Sequence, residues 1–212
     1  MQQKRKVSVR KSPSQQRSKQ MVEKIMAAAK TLLIEQGLEN LTTSKVASYA
    51  QISVGSLYQY FPNKLAILQS LYMAWLDEVI VELKEMARVP TLPPDEFIEV
   101  LRAILIEYYD PEDYKNSSAE RKFELELTKG MQLYNELKEI DDSHQEKVAS
   151  IIADCLKRIY PEQSYQYLLN ISMYLYYVHC SFDEVSALNI DAPEELLTVH
   201  INTIIAAIKS LA

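Results

Sequence analysis

Apolar residues recur at intervals of three and four positions along nearly the whole chain. In the stretch from about residue 15 to residue 36, Val22, Ile25 and Leu32 share one helical face, and Gly37 follows where a helix C-cap favours glycine. The alternation of apolar and polar residues that is typical of a strand is almost absent. The sequence therefore predicts an all-α protein.

Two short helices are predicted next. The segment "NLTTSKVASYA" offers Thr42 or Thr43 as the N-cap of a helix of about nine residues, which ends before "QIS". In "SVGSLYQYFPNK", Ser53 can cap a third helix in which Leu57 and Phe61 lie one turn apart on an inner face. The other side of that helix then carries Val54, Gly55, Ser56, Tyr58 and Tyr60.

The residues on this outer side suit contact with DNA. A helix that reads DNA must approach the duplex closely, and it needs hydroxyl donors for phosphates and a few groups for base edges. Pro62 disfavours helical geometry at Phe61, and Asn63 can cap a fourth helix that starts with Lys64. Two short helices joined by a tight turn form a helix-turn-helix, so we predict a DNA-binding element here.

The rest of the chain is predicted to be a series of longer helices. One helix runs over about 64–87 and ends at the prolines of "RVPTLPPDE". The others are expected at about 94–110, 118–139, 142–160, 163–188 and 193–210. The segment "DDS" is expected to separate the helix at 118–139 from the helix at 142–160. The predicted organisation is a disordered basic arm over 1–14, a helix-turn-helix domain over 15–66 and a larger helical domain over 67–212.

Charge is distributed unevenly along the chain. The net charge is −6, yet residues 1–64 carry +8 and residues 65–212 carry −14. Seven Lys and Arg residues and no acid lie in the first 20 residues, which is typical of an arm attracted to polyanions, although a solvated tail has the same composition. No stretch approaches the roughly 18 apolar residues of a membrane span, and no secretory signal is apparent, so we expect a cytoplasmic protein.

Enzyme chemistry has little support in the sequence. The three glycines are too scattered for a phosphate-binding loop, and no nucleophile or metalloprotease motif is present. Cys155 and Cys180 form no metal or redox motif, and His144, His179 and His200 show no ligand spacing. We therefore expect a protein that is not an enzyme and that needs no metal or cofactor.

The run "TTSKVASYAQISVGSLYQYFPNK", residues 42–64, resembles the DNA-binding signature of tetracycline-repressor-like (TetR family) regulators. The matching pattern is "T…VA…A…S.G.LY.YF..K", preceded by an amphipathic helix, and it covers roughly residues 15–66. The remainder agrees only in length and helical pattern. Ala50 stands where the pattern commonly has glycine, although alanine is also tolerated there.

The resemblance implies roles for individual residues. Thr43, Ser44, Tyr58, Tyr60 and Lys64 would contact phosphates, and Val54, Gly55 and Ser56 would face base edges. Each has a structural alternative: the tyrosines as partly buried aromatics, Lys64 as a solvated charge and Gly55 as a helix-packing residue. The resemblance also implies that 67–212 binds a small effector and, through its last two helices, a second copy of the chain, so the operator would be near-palindromic.

Aromatic and acidic residues cluster in "IEYYD", "FELELTKGMQLY" and "MYLYYVHCSFDEV" as possible effector contacts, although such tyrosine-rich stripes are also typical of a core or an interface. The predicted effector site comprises Glu107, Tyr108, Phe123, Leu127, Tyr134, Tyr174 and Tyr177; Tyr109, Glu124 and Phe182 are further candidates. They would suit a lipophilic cation or a ligand with hydroxyls.

The residues expected to form the dimer interface are Leu168, Ile171, Leu175, Phe182, Leu197, Ile201, Ile204 and Ile208.

Gly130 lies inside a predicted helix, where glycine is destabilising relative to alanine. It marks either a hinge, a close approach of another segment, or a destabilising residue that the helix tolerates.

The function that follows is a sequence-specific DNA-binding transcriptional regulator, a repressor that a small molecule releases from its operator. The alternative is an effector-independent helix-turn-helix protein, with a DNA-binding or architectural role, that responds to a partner protein.

Overall fold

The computed structural model describes residues 16–109, 119–186 and 193–212. The predicted basic arm, 1–14, lies outside the described residues. Those residues are predominantly helical and contain no strand, which confirms the all-α prediction. The helices are α1 Gln16–Gln36, α2 Thr43–Tyr49, α3 Val54–Tyr60, α4 Lys64–Met86, α5 Pro94–Tyr108, α6 Ala119–Leu133, α7 Asn135–Ile159, α8 Tyr165–Ser186 and α9 Pro193–Lys209, with a 3-10 turn at Leu38–Asn40.

The chain forms two compact units. The first comprises Met1–Trp75 and Ala119–Ile140, and the second comprises Leu76–Ser118 and Asp141–Ala212. The division falls within α4 and α7, so each of these helices contributes to both units, while α6 belongs with the N-terminal helices. The functional domains predicted over 15–66 and 67–212 stay a prediction.

Side-chain caps fix where the short helices begin. The Thr42 side chain accepts a hydrogen bond from the Lys45 N–H at 3.2 Å, so Thr42 is the N-cap of α2. Ser53 caps α3 through the Ser56 N–H at 3.0 Å, as the sequence predicts. Asn63 caps α4 in the same way, through the Ala66 N–H at 2.9 Å. Each cap satisfies a backbone donor that the first turn of a helix leaves unpaired.

The break between α6 and α7 differs from the sequence prediction. We expected it at "DDS", but it lies at Tyr134, and "DDS" is inside α7. The prediction was wrong because Asp141 stays in the helix, where its buried carboxylate accepts hydrogen bonds from Gln145 at 3.0 Å and from Tyr176 at 3.3 Å. The helix can therefore continue through a polar run that contains neither glycine nor proline.

Gly130 is a point of close approach within the first unit. A Cβ atom at this position would lie 3.1 Å from Leu68 Cδ2 and 3.2 Å from Leu137 Cδ1. Both leucines are fully buried. Of the three explanations for this glycine, the structure therefore supports the close approach.

The residues expected at a dimer interface belong instead to the core of the second unit. Seven of the eight are buried there, and Ile171 packs half-buried against them. The prediction was wrong because the most apolar side of α8 and of α9 faces the core of the same unit, where it removes the most apolar surface from water. Other apolar residues of these helices are exposed: Tyr167, Tyr174, Val185 and Val199.

None of the helices described is long and apolar enough to span a membrane.

Burial along α6 predicts a large difference between two leucine substitutions. Leu127 is fully buried in the first unit, whereas Leu133, on the same helix, is 67% exposed. We expect Leu127→Ala to lower the free energy of unfolding by about 2–5 kcal/mol, because it leaves a cavity, and the control Leu133→Ala to change it by less than about 0.5 kcal/mol. Urea denaturation followed by circular dichroism measures both. Equal effects would contradict the packing described for α6.

Candidate nucleic-acid interface and effector cavity

Helix α3 has a buried side and an open side. Leu57 is fully buried, as is Phe61 just after the helix, whereas Val54 and Tyr58 are about two-fifths exposed. Gly55 is also exposed, and a Cβ there would meet only Ser53 Oγ, at 3.8 Å. Packing within the chain therefore gives no reason for glycine at this position, and the open side permits close approach of another molecule.

Two of the predicted phosphate contacts lie next to each other. Thr43, at the start of α2, and Tyr58, on α3, bring their hydroxyl oxygens to 3.1 Å. Each hydroxyl has one proton, and the hydrogen bond between them uses only one of the two. The other proton can be donated to an acceptor such as a phosphate oxygen.

The remaining predicted DNA contacts have different surroundings. Ser44 is exposed, and Tyr60 is half-buried. The Ser56 hydroxyl lies 2.8 Å from Ser53 Oγ at the helix cap. Lys64 donates a hydrogen bond from Nζ to the Leu38 carbonyl at 2.9 Å. The ammonium group of Lys64 thus holds the turn before α2, and its predicted phosphate contact stays a prediction.

The turn between α2 and α3 places one residue in the left-handed region. This residue is Gln51, with φ of 51°, and not Ala50, where the sequence pattern commonly has glycine. The Gln51 N–H donates to Ser48 O, and the Ile52 N–H donates to Ala47 O, both at 3.0 Å. These hydrogen bonds hold the tight turn of the helix-turn-helix although a left-handed glutamine is unfavourable.

A hydrogen-bonded network that the sequence did not indicate ties α2 to the end of α1. Tyr49 donates to Glu35 at 2.9 Å and accepts from Gln36 Nε2 at 2.8 Å. Lys45 Nζ donates to Gln36 Oε1 at 2.9 Å and to Asn40 Oδ1 at 3.0 Å. The hydrogen bond to Glu35 raises the pKa of Tyr49. In the sequence these residues look like an ordinary solvated face.

The second unit contains a cavity of about 200 Å³. Its lining comes from α4, α5, α7, α8 and α9 and is mostly aliphatic. Glu82 is the only acid in the described lining, and no Lys or Arg contributes to it. A shallower depression shares Met86, Ile104 and Tyr108 with the cavity and includes Glu107.

Polar groups of the cavity wall are linked to buried partners. The buried Tyr109 hydroxyl lies 2.6 Å from His179 Nδ1 and 2.9 Å from His200 Nε2. Because one hydroxyl can donate to only one of them, the two imidazoles are held in complementary donor and acceptor roles when both are neutral. On α7, outside the cavity lining, burial lowers the pKa of His144.

The structure brings only part of the predicted effector site to this cavity. Tyr108 lines the cavity, as does Tyr109, one of the further candidates. Glu107 lines the adjoining depression. Glu124 and Phe182 are not in its lining. Phe123 and Leu127 are buried, and Tyr134 half-buried, in the first unit, while Tyr174 and Tyr177 are exposed outside the cavity. Lining residues that were not predicted as effector contacts include Val79, Glu82, Leu101, Ile152, Tyr176 and Ile204.

Solved structures share this fold at low sequence identity. They include a TetR transcription regulator from Haloarcula marismortui (16% identity, TM-score 0.68, covering 91% of this chain and 98% of that one). A transcriptional regulator from Rhodococcus sp. Rha1 has 19% identity and a TM-score of 0.67, covering 89% and 96%. SmeT, the repressor of the Stenotrophomonas maltophilia multidrug efflux pump SmeDEF, has 15% identity and a TM-score of 0.62, covering 88% and 89%. No curated protein matches the sequence.

The helix-turn-helix region also matches a known family by sequence. Residues 25–71 match the model for bacterial regulatory proteins of the tetR family. This range contains the capped helices α2 and α3 and the Thr43–Tyr58 pair. The helix-turn-helix region is therefore that of the tetR family of bacterial regulatory proteins, and the chain shares the fold of solved TetR-family transcription regulators.

Proposed function

We propose that this protein is a repressor that binds a near-palindromic operator as a homodimer and is released by a small, mostly apolar molecule. The observation that carries the DNA-binding part is the open side of α3, where Gly55 leaves room for close approach and Tyr58 pairs with Thr43. In this proposal Val54, Gly55 and Ser56 face base edges. Thr43, Ser44, Tyr58, Tyr60 and Lys64 contact phosphates, Lys64 after giving up its hydrogen bond to the turn.

Substitutions on the open side of α3 test the operator contacts. We expect Gly55→Leu to abolish operator binding by blocking close approach, and Tyr58→Ala to weaken it roughly tenfold through the lost phosphate hydrogen bond. Tyr165→Ala is a matched control, because Tyr165 is similarly exposed but lies on α8. Fluorescence anisotropy with an operator selected from random DNA measures the affinities. Unchanged affinity of both α3 variants would show that this face does not bind the operator.

A second copy of the chain is the proposed partner of α8. Tyr167, Tyr174 and Val185 are exposed at spacings of seven and eleven residues, which place them along one side of the helix, with Ile171 and Val178 half-buried beside them. An apolar stripe of this kind is typical of a surface that another molecule covers. Two helix-turn-helix units related by a two-fold axis would then read two operator half-sites.

A charge placed on this stripe tests the dimer. We expect Tyr174→Glu to give a monomer in sedimentation measurements at micromolar concentration and to reduce operator affinity, because a buried unpaired carboxylate opposes association. Gln166→Glu introduces the same charge at an exposed position on another side of α8 and should leave the dimer intact. A wild-type protein that sediments as a monomer would remove dimerisation from the proposal.

The cavity of the second unit supports the effector part of the proposal. An engineered cavity of about 150 Å³ accommodates benzene, so about 200 Å³ suits one ring with a short substituent. A bound anion would find no Lys or Arg in the described lining and would face Glu82, so we expect the effector to be neutral or cationic. SmeT, which has the same fold, has been solved as a complex with triclosan.

Three molecules that share an apolar body test this expectation. We expect 3-phenylpropanol or 3-phenylpropyltrimethylammonium to raise the melting temperature and lower operator affinity together, and 4-phenylbutyrate to do neither. Ile104→Trp should fill the cavity and suppress the response while leaving operator affinity without ligand unchanged. The control is Ile106→Trp, since Ile106 is exposed on the same helix and does not line the cavity. No response to any apolar compound would favour an effector-independent regulator that responds to a partner protein.

A further inference from the structure

A carboxylate from outside the helix-turn-helix reaches the turn that precedes it. Glu126 lies on α6, 88 residues after Leu38, and its Oε2 accepts a hydrogen bond from the Leu38 N–H at 2.6 Å. The Glu126 side chain is only 13% exposed, and its other oxygen contacts Lys129. A hydrogen bond to a carboxylate is stronger than one between neutral groups, so α6 is firmly attached to this turn.

The carbonyl of the same residue is held from another direction. Leu38 O accepts hydrogen bonds from Lys64 Nζ at 2.9 Å and from the Leu41 N–H at 3.2 Å. The Leu38 side chain is fully buried. The backbone N–H and C=O of Leu38 are therefore both hydrogen-bonded, to partners on α6, on α4 and at the C-cap of the turn.

Gly37 lets the chain come this close to the Glu126 carboxylate. Its φ is +79°, a conformation that other residues rarely adopt. A Cβ at this position would lie 3.1 Å from Glu39 Oε2 and 3.4 Å from Glu126 Oε2. The backbone conformation of Gly37 thus directs the next N–H, that of Leu38, towards α6.

We propose that Glu126 is a positioning residue for operator binding. It fixes the turn Leu38–Asn40, and only Leu41 and Thr42 separate this turn from Thr43, whose hydroxyl meets Tyr58. A displaced turn would move the start of α2 and separate the two hydroxyls. Glu126 itself touches no DNA in this proposal, which rests on the operator face formed by α2 and α3.

Four variants separate this role from a general effect of charge or packing. Glu126→Ala removes the acceptor, Glu126→Asp retracts it by one methylene, and Glu126→Gln keeps an oxygen that can accept from Leu38 N–H. Glu120→Ala is the matched control, because Glu120 also lies on α6 and pairs with Lys30 of α1 at 2.7 Å, but does not contact the turn. We expect operator affinity to fall roughly tenfold for Ala and Asp, to recover largely for Gln, and to stay at the wild-type value for the control.

Two further measurements distinguish positioning from stability alone. The log–log dependence of operator affinity on salt should keep its slope in Glu126→Ala, because no phosphate contact is removed. Amide hydrogen exchange of a peptide covering residues 37–43 should be faster in Glu126→Ala and Glu126→Asp than in Glu120→Ala. A variant that loses thermal stability but binds the operator like the wild type at 20 °C would overturn the proposal, as would equal losses for Glu126→Ala and Glu120→Ala. If Glu126→Ala does not fold, Glu126→Asp serves the same comparison.

Failure of this inference can be told apart from failure of the proposed operator face. If Gly55→Leu and Tyr58→Ala lose operator binding while Glu126→Ala and Glu126→Asp do not, only the role of Glu126 is wrong. If the α3 variants bind normally, the operator face is wrong and the positioning role falls with it.

Discussion

Helix α3 is seven residues long, so the burial of Leu57 and Phe61 has to hold it in place. A helix this short is not stable alone, and it forms because tertiary contacts fix one of its sides. Both buried residues lie on that side, and burying each of them contributes roughly 1.5–3 kcal/mol. Val54, Gly55 and Tyr58, which lie away from that side, remain exposed, so the core of the protein does not determine which residues stand at these positions.

Hydrogen bonds fix where the short helices begin more tightly than the burial of two side chains can. Caps at Thr42, Ser53 and Asn63 define the first residue of three successive helices. The Leu38 backbone is hydrogen-bonded to side chains of α4 and α6, which come from distant parts of the sequence. A contact of about 3 Å between two hydroxyls on different helices needs this kind of control, because a shift of one residue at either helix start would separate them.

The sequence predicted the fold better than it predicted the sites. Helix periodicity, Gly37 and the capping residues Ser53 and Asn63 located the N-terminal helices, since these signals are local. The break at Tyr134 could not be predicted, because the partners of the buried Asp141 carboxylate, Gln145 and Tyr176, are known only from the structure. The Glu126–Leu38 hydrogen bond was missed for the same reason: it joins residues far apart in a sequence that shows no pattern linking them.

The lining of the cavity shows why tyrosine-rich stretches were an unreliable guide to which residues surround it. Tyr174 and Tyr177 share α8 with Tyr176 and His179, but only the latter two line the cavity, because successive helical residues point about 100° apart. Composition identifies the stretch, and only the packing of the unit decides which of its residues turn inward. The aliphatic residues that form most of the lining are indistinguishable in sequence from a filled core, since both require apolar side chains at helical spacing. What separates a cavity from a core is missing volume, which is a property of all five helices together and of no one segment.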